Sequence, residues 1–354
     1  MTTVFRQLYD NVSSTYTYLL ADGLTREALI IDPVYELHAR DLALLRELGL
    51  RLTATLDTHC HADHVTGAWL MRQATGCRIG LSRSYGARNV DLPLEEGSRV
   101  TYGKGWLDVW STPGHTDGCL SFVLHDRSMV FTGDCLMIRG AGRTDFQQGD
   151  ARKMYRSIHD RLFALPEACA VYPAHDYDGR CSSTIGEEKL HNTRIGGGAS
   201  ERDFVGYMKN LNLPHPKKIA IALPANMRCG EPETGIYPSY AAWGPVEQSY
   251  DGIPQIAPEW VAAHAGRALI VDVRDAEERR GDPGSIPEAL GLPLDELTKR
   301  MAEVPKDRPV IMVCRSGRRS AQATVLLRKS GYTDVASLKG GMLAWNNIAG
   351  RADN

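Results

Sequence analysis

Short runs of apolar and β-branched residues, each closed by a polar or turn residue, recur along the chain between stretches of helical period. Leu52-Thr-Ala-Thr-Leu56 is such a run and stops at Asp57, as a buried strand does. Leu37, Leu44, Leu45 and Leu48 mark one face of a helix ended by Gly49, and Ala151 to Leu165 reads as another helix. Near the C-terminus Val310-Ile-Met-Val313 predicts a strand, followed by a helix beginning near Ser320. From Gly230 to Pro258 the period lapses: Pro232, Pro238, Pro245, Pro254 and Pro258 mingle with glycines. The pattern predicts an α/β chain of two domains, 1–230 and 258–354, joined by a linker over 231–257. Tyr237, Tyr240, Trp243 and Tyr250 are unusual for a free tether, so the linker is expected to pack against one or both domains.

The predicted strand ends carry the chemistry. Residues 58–64 read Thr-His-Cys-His-Ala-Asp-His, a polar cluster costly to bury unless it is paired or holds a metal. His59, His61, Asp63 and His64 are therefore candidate ligands, on a loop between a strand and a helix starting near Thr66. Three further apolar runs end in Thr112-Pro-Gly-His115, Phe131-Thr-Gly-Asp134 and Tyr172-Pro-Ala-His175, so four strand ends deliver His or Asp to what reads as one place. His38, His125, His159, His191, His215 and His264 lack such neighbours and read as ordinary core or surface residues.

A second site reads Cys314-Arg-Ser-Gly-Arg-Arg-Ser320. A thiol at a strand end, wrapped by a short loop, faces the loop N–H groups and the positive end of the following helix. With Arg315, Arg318 and Arg319 nearby, a stabilised thiolate is expected.

At 354 residues the chain can bury two cores. Its 41 basic and 43 acidic residues give a formal net charge of −2 without long runs of one sign, so composition points to small metabolites rather than nucleic acid or membrane. No window approaches a membrane span, and Met-Thr-Thr-Val-Phe-Arg-Gln lacks the character of a secretory leader, which predicts a cytoplasmic protein. The eight cysteines show no paired short spacing, so neither a zinc finger nor a disulfide framework is expected. Cys60 lies inside the metal motif without needing to touch the metal.

The strand-end motifs occur in the order of the metallo-β-lactamase superfamily, which residues 1–230 resemble; the resemblance implies an αββα sandwich. Ile138-Arg-Gly-Ala-Gly-Arg-Thr-Asp-Phe-Gln147 and Pro224-Ala-Asn-Met-Arg-Cys229 resemble the persulfide dioxygenases within it. The cysteine loop, Leu269-Ile-Val-Asp272-Val-Arg274 and Lys339-Gly-Gly-Met-Leu-Ala-Trp345 resemble a rhodanese domain over about residues 255–350, which implies a small doubly wound α/β sheet. A phosphatase loop would want arginine six positions after the cysteine, where Ser320 stands; the shorter loop suits a sulfur-carrying cysteine. Gly284-Ser-Ile-Pro-Glu288 departs from the usual rhodanese Gly-His-Ile-Pro-Gly.

The dioxygenase resemblance implies one Fe(II) per chain on His59, His115 and Asp134, with no organic cofactor. His61, Asp63, His64 and His175 would stand behind those ligands and orient them. Two imidazoles and one carboxylate leave three positions for a sulfur anion and O2. Arg139, Arg143, Asp145, Tyr177, Asn192 and Arg194 follow the metal-bearing strands and are candidates to bind the charged groups of glutathione. In the rhodanese part Cys314 would be the nucleophile, with Arg315, Ser316, Gly317, Arg318 and Arg319 forming the loop that holds thiosulfate or sulfite.

The expected protein oxidises glutathione persulfide with O2 to sulfite and glutathione, and moves sulfane sulfur between thiosulfate and glutathione in either direction. The same donors also suit a dinuclear thioester hydrolase resembling glyoxalase II. In that alternative His59, His61 and His115 would hold one metal, Asp63, His64 and His175 the other, and Asp134 would bridge. A further alternative makes the second domain a non-catalytic sulfide-sensing or docking module. The sequence leaves a homo-oligomer open.

Overall fold

The computed structural model describes residues 3–352 apart from 212, 215 and 234–240, and the chain divides into two compact units, Met1–Gly235 and Ile236–Asn354. Tyr237, Pro238, Tyr240 and His215 lie outside the described residues. No helix among the described residues is long and apolar enough to cross a membrane.

The first unit is built on two six-stranded sheets that follow one another along the chain. Thr3–Asp10 to Leu92–Leu94 form the first sheet, antiparallel at its start and parallel from Glu27–Ile31 onward. Arg99–Tyr102 to Ser183–Thr184 form the second, where only Met129–Gly133 and Ala170–Pro173 run parallel. Strand alternation explains the layers. Tyr18, Leu20, Leu29 and Ile31 point between the sheets and pack with Leu107, Val109, Phe122 and Phe131. Their neighbours Leu19, Ala21, Ala28 and Ile30 point outward onto Leu44 and Leu45 of the His38–Glu47 helix and Met71 of the Ala68–Thr75 helix. The outer face of the second sheet is covered by Met154, Ile158, Phe204 and Met208. This is the αββα sandwich, and strands buried on both faces are why its apolar runs are near-continuous.

Two local expectations change. The stretch 151–165 is not one regular helix: it is α-helical over Ala151–Arg156, widens to a π-turn over Ser157–Arg161 and tightens at Leu162–Ala164. The widening lies where the Ser157 hydroxyl donates to the Pro113 carbonyl, two residues before His115, in keeping with the habit of π-turns near functional sites. The helix after Cys314 starts at Arg318, two residues earlier than the hydrophobic pattern suggests.

The second unit is a six-stranded sheet in which Pro254–Ile256, Val335–Leu338, Val310–Val313, Leu269–Asp272 and Leu290–Gly291 are parallel neighbours and Glu247–Gln248 adds an antiparallel edge. Its faces carry separate clusters, one around Val271, Met312 and Leu327, the other around Ile256, Val313 and Met342. Parallel order with helical crossovers is the doubly wound architecture. Part of the Pro/Gly-rich stretch belongs to this unit: Trp243 and Val246 pack on its core, and Trp243 lies 6.2 Å from Trp260 between ring centres.

Candidate active sites

The seven expected donors converge at one edge of the sandwich. His59, His115 and Asp134 present one ligand atom each, all within 4.8 Å of one another; His61, Asp63, His64 and His175 form a neighbouring group by the same measure. All are buried except Asp63, whose side chain is 28% exposed. By the same distance measure His61 groups with Asp63, His64 and His175, and separately with Asp32 and Asp57, whereas the dinuclear alternative assigns it to His59 and His115. Its Nε2 faces Asp32 Oδ1 at 3.1 Å, and its ring centre lies 4.0 Å from that of His59 and 4.3 Å from that of His64.

Hydrogen bonds fix which nitrogens are free. The Nδ1 of His115 lies 2.7 Å from the Arg143 carbonyl, which can only accept, so Nδ1 carries the proton and Nε2 keeps its lone pair. The Thr58 hydroxyl donates to Asp32 at 2.9 Å and so accepts from His59 Nδ1 at 3.0 Å, which leaves His59 Nε2 free as well. Asp134 Oδ1 is held at 2.7 Å by His175 Nδ1. Two imidazole lone pairs and a carboxylate, each fixed by an outer partner, are the chemistry of a preformed metal site. The group behind them contains buried His61 Nδ1 and His64 Nε2 without hydrogen-bond partners among the described residues, a cost that a closed structural core would not carry.

Charge within the cluster is strongly coupled. Burial pushes the Asp134 carboxyl up, but His175, His115 and His59 pull it well below the ordinary range. Burial alone would depress His175, yet Asp134 and Asp63 on either side hold it protonated far above its usual value. His59 and His61 are driven down, first by burial and next by neighbouring imidazoles, which favours the neutral form that binds a metal.

The backbone is shaped for this convergence. At Gly114, with φ +151°, a Cβ would fall 2.4 Å from Met154 Cα, so glycine lets the His115 loop pass the helix. Asp32 and Asn226 are supports that the sequence reading overlooked. Asp32 follows the Glu27–Ile31 strand, accepts the Thr58 N–H at 2.7 Å, and is pushed up by burial against the downward pull of His59. The strand-end position was the available signal. Asn226, inside a segment that the family resemblance had already singled out, donates to the His61 and His64 carbonyls at 2.8 and 2.9 Å and accepts from Thr66 N–H at 2.8 Å. Asn226→Ala should therefore lower metal affinity about 10–100-fold while leaving the sandwich folded, as chelator competition and circular dichroism would show.

The residues expected to bind glutathione are scattered in role. Tyr177 is 72% exposed and its ring lies parallel to His175. The Arg143 guanidinium grips Asp145 through two 2.6 Å contacts and lies over Phe146, while its carbonyl holds His115. Arg139 is tied to Glu187 and Glu188, and Arg194 donates to the Ala141 carbonyl. Asn192 is buried and spends its amide on Gly140, Glu188 and the Arg194 N–H, so it braces the loop from inside rather than facing a ligand.

In the second unit Cys314 ends the Val310–Val313 strand with only 1% of its surface exposed. Its Sγ accepts from the Gly317 N–H at 3.2 Å, with Ser320 Oγ at 3.4 Å. At Gly341, φ +60°, a Cβ would meet the Cys314 carbonyl at 2.4 Å and Gly317 N at 2.7 Å; this close approach accounts for the Lys339-Gly-Gly segment. Arg318 and Arg319 belong to the first helical turn, not the loop. The three arginines are unequal: Arg319 is paired with Glu278 at 2.6 and 2.7 Å, Arg315 donates to the Asp282 carbonyl, and Arg318 is exposed without an ion pair among the described residues. The remaining described cysteines are buried except Cys181.

A two-sheet sandwich with a His/Asp metal-binding cluster at its edge, followed by a parallel-sheet unit with a looped cysteine, defines a metallo-β-lactamase superfamily protein with a rhodanese-like domain. The metallo-β-lactamase superfamily model matches residues 10–104 and 109–175, and the rhodanese-like domain model matches 257–348. Human mitochondrial persulfide dioxygenase ETHE1 is 52% identical over 228 residues, covering 64% of this chain and 89% of that protein. The crystal structure of ETHE1 from Myxococcus xanthus is 47% identical with a TM-score of 0.62, over 64% of this chain and 99% of that one. A metallo-β-lactamase structure from Staphylococcus aureus, 24% identical with a TM-score of 0.61, covers 96% of this chain and 98% of its own and shares the fold. The chain belongs to the persulfide dioxygenase family and carries a C-terminal rhodanese-like domain, which places it in sulfur metabolism.

Proposed function

We propose that the chain is bifunctional: residues 1–230 oxidise glutathione persulfide with O2, and residues 258–354 transfer sulfane sulfur between thiosulfate and glutathione. The observation that carries this reading is the His59, His115 and Asp134 set, whose free nitrogens and carboxylate converge while their other atoms are held. One Fe(II) on these three would supply redox chemistry and open positions for the persulfide and O2. The protein's part is to keep His59 neutral by burial, to aim His59 and His115 through Thr58 and the Arg143 carbonyl, and to hold Asp134 ionised through His175. The reaction takes GSSH, O2 and H2O to GSH, sulfite and two protons; the sulfane sulfur loses four electrons to O2, and water supplies the third oxygen.

In the second unit the Cys314 thiolate attacks the outer sulfur of thiosulfate. The S–S bond breaks and sulfite leaves with the electron pair. Attack by glutathione thiolate on the Cys314 persulfide then forms glutathione persulfide and restores the thiolate; the same steps run in reverse. The Gly317 N–H and Ser320 hydroxyl steady the sulfur, while Arg315 and Arg318 attract the anion. Each activity makes a reactant for the other, which a thioester hydrolase would not.

The test is metal content and oxygen consumption on one anaerobically purified sample given glutathione persulfide. One iron per chain with oxygen uptake and sulfite release is expected. Two zinc ions per chain with no uptake would overturn the reading and direct the next assay to glutathione thioesters.

A further inference from the structure

Ser337 carries a hydroxyl where the surrounding pattern calls for an aliphatic side chain. It lies in the Val335–Leu338 strand, between Ala336 and Leu338, and is fully buried. Side chains alternate across a sheet, so Ser337 shares the Val335 face and points toward the cluster that holds Cys314, Ala323 and Leu327. A hydroxyl in such a core is costly unless it is paired. Its partner is Ser320 Oγ at 2.8 Å, equally buried on the first turn of the Arg318–Lys329 helix.

Ser320 in turn lies 3.1 Å from the Gly317 carbonyl and 3.4 Å from Cys314 Sγ. A carbonyl and a thiolate can only accept, so Ser320 serves either of them as the donor. No other hydrogen-bond partner of Ser337 Oγ is found among the described residues, so its proton goes to Ser320. That donation leaves the Ser320 proton free to turn between the Gly317 carbonyl and the sulfur, and it polarises the Ser320 O–H toward stronger donation.

We infer that Ser337 is a positioning residue of the sulfur-transfer site, acting through Ser320 by aiming that hydroxyl at Cys314 Sγ when the sulfur is an anion. This rests on the sulfurtransferase reading of the second unit. The return of sulfur to glutathione depends on it most. Glutathione thiolate attacks the outer sulfur of the Cys314 persulfide and forms the S–S bond of glutathione persulfide, while the old S–S bond breaks and leaves its electron pair on Cys314 Sγ. A hydrogen bond that strengthens as this charge appears makes the thiolate a better leaving group. The charged side chains on the elements around the cysteine are mostly committed elsewhere: Arg319 to Glu278, Arg274 to Asp272, Lys339 to Glu247 and Arg315 to the Asp282 carbonyl, with Arg318 exposed. None of them stands on the Val335–Leu338 strand, whose contribution is the neutral hydroxyl.

The test is Ser337→Ala, which removes the hydroxyl and keeps the strand. Glutathione should take sulfur from the Cys314 persulfide about fivefold more slowly, read as decay of the 32 Da adduct on the Cys314 peptide. The pH midpoint for alkylation of Cys314 by iodoacetamide should move up by roughly half a pH unit, because the anion loses a hydrogen bond. Ser320→Ala should show at least as large a change, and adding Ser337→Ala to it should change nothing more, since one hydroxyl acts through the other. Thermal unfolding of each variant establishes that the fold is kept. Parent values for both rate and midpoint in Ser337→Ala, or a further loss of the same size in the Ser320→Ala background, would overturn the inference and make Ser337 a packing residue. If the parent gains no adduct from thiosulfate, the sulfurtransferase reading fails by itself, and the alkylation midpoints still decide whether Ser337 acts on Cys314 through Ser320.

Discussion

His115→Ala will lose bound metal and oxygen consumption together, and will keep transfer of sulfur from thiosulfate to glutathione. On the proposed reading the imidazole would be one of three metal donors, and its Nδ1 proton is spent on the Arg143 carbonyl, so its removal would subtract a metal contact and free the loop that holds the ring. Loss of an outer partner of a ligand costs about 10–100-fold; loss of the ligand itself should exceed that. The second unit has its own sheet, its own core and its own looped cysteine, so nothing in its folding requires His115. Metal analysis, oxygen-electrode traces and a thiosulfate assay on the same preparation give the answer. Loss of both activities would end the modular reading.

The converse variant, Cys314→Ser, should lower sulfur transfer by about 10⁴-fold or more and leave oxygen uptake at the parent rate. A serine hydroxyl at this position is almost fully protonated and cannot carry a sulfane sulfur, whereas its small size fits beneath Gly341 without displacing the loop. The replacement preserves the Val310–Val313 strand and the helix dipole at Arg318, so the lost quantity is the nucleophile alone. Mass spectrometry after thiosulfate treatment should show a 32 Da adduct on the parent and none on the variant. An adduct on Cys314→Ser would move the reactive thiol elsewhere, with exposed Cys181 the first position to examine.

Much of the fold and most of the chemistry were legible along the chain because they depend on neighbours in sequence. Strands buried on both faces leave apolar runs, and donors placed where those runs stop stand out as His59, His115, Asp134 and His175. The cysteine loop was legible for the same reason, since strand, thiol, glycine and helix are contiguous. Helix starts were less certain by one or two residues: the turn at Gly317, φ +92°, opens the helix before the apolar period does.

What only the tertiary structure decided is the assignment of partners. Residue types could not divide seven donors between groups; the registration of separate strand ends brought His59, His115 and Asp134 within reach of one ion and set His61 against Asp32. The arginines of the cysteine loop looked alike until Glu278, 41 residues away, took Arg319. Asn192 looked free to bind a ligand until the Gly140 loop folded over it. A side chain's chemistry is written in its own residue and its backbone setting in the next few, but whether it is free to act depends on which distant groups reach it first, and folding alone brings those groups together.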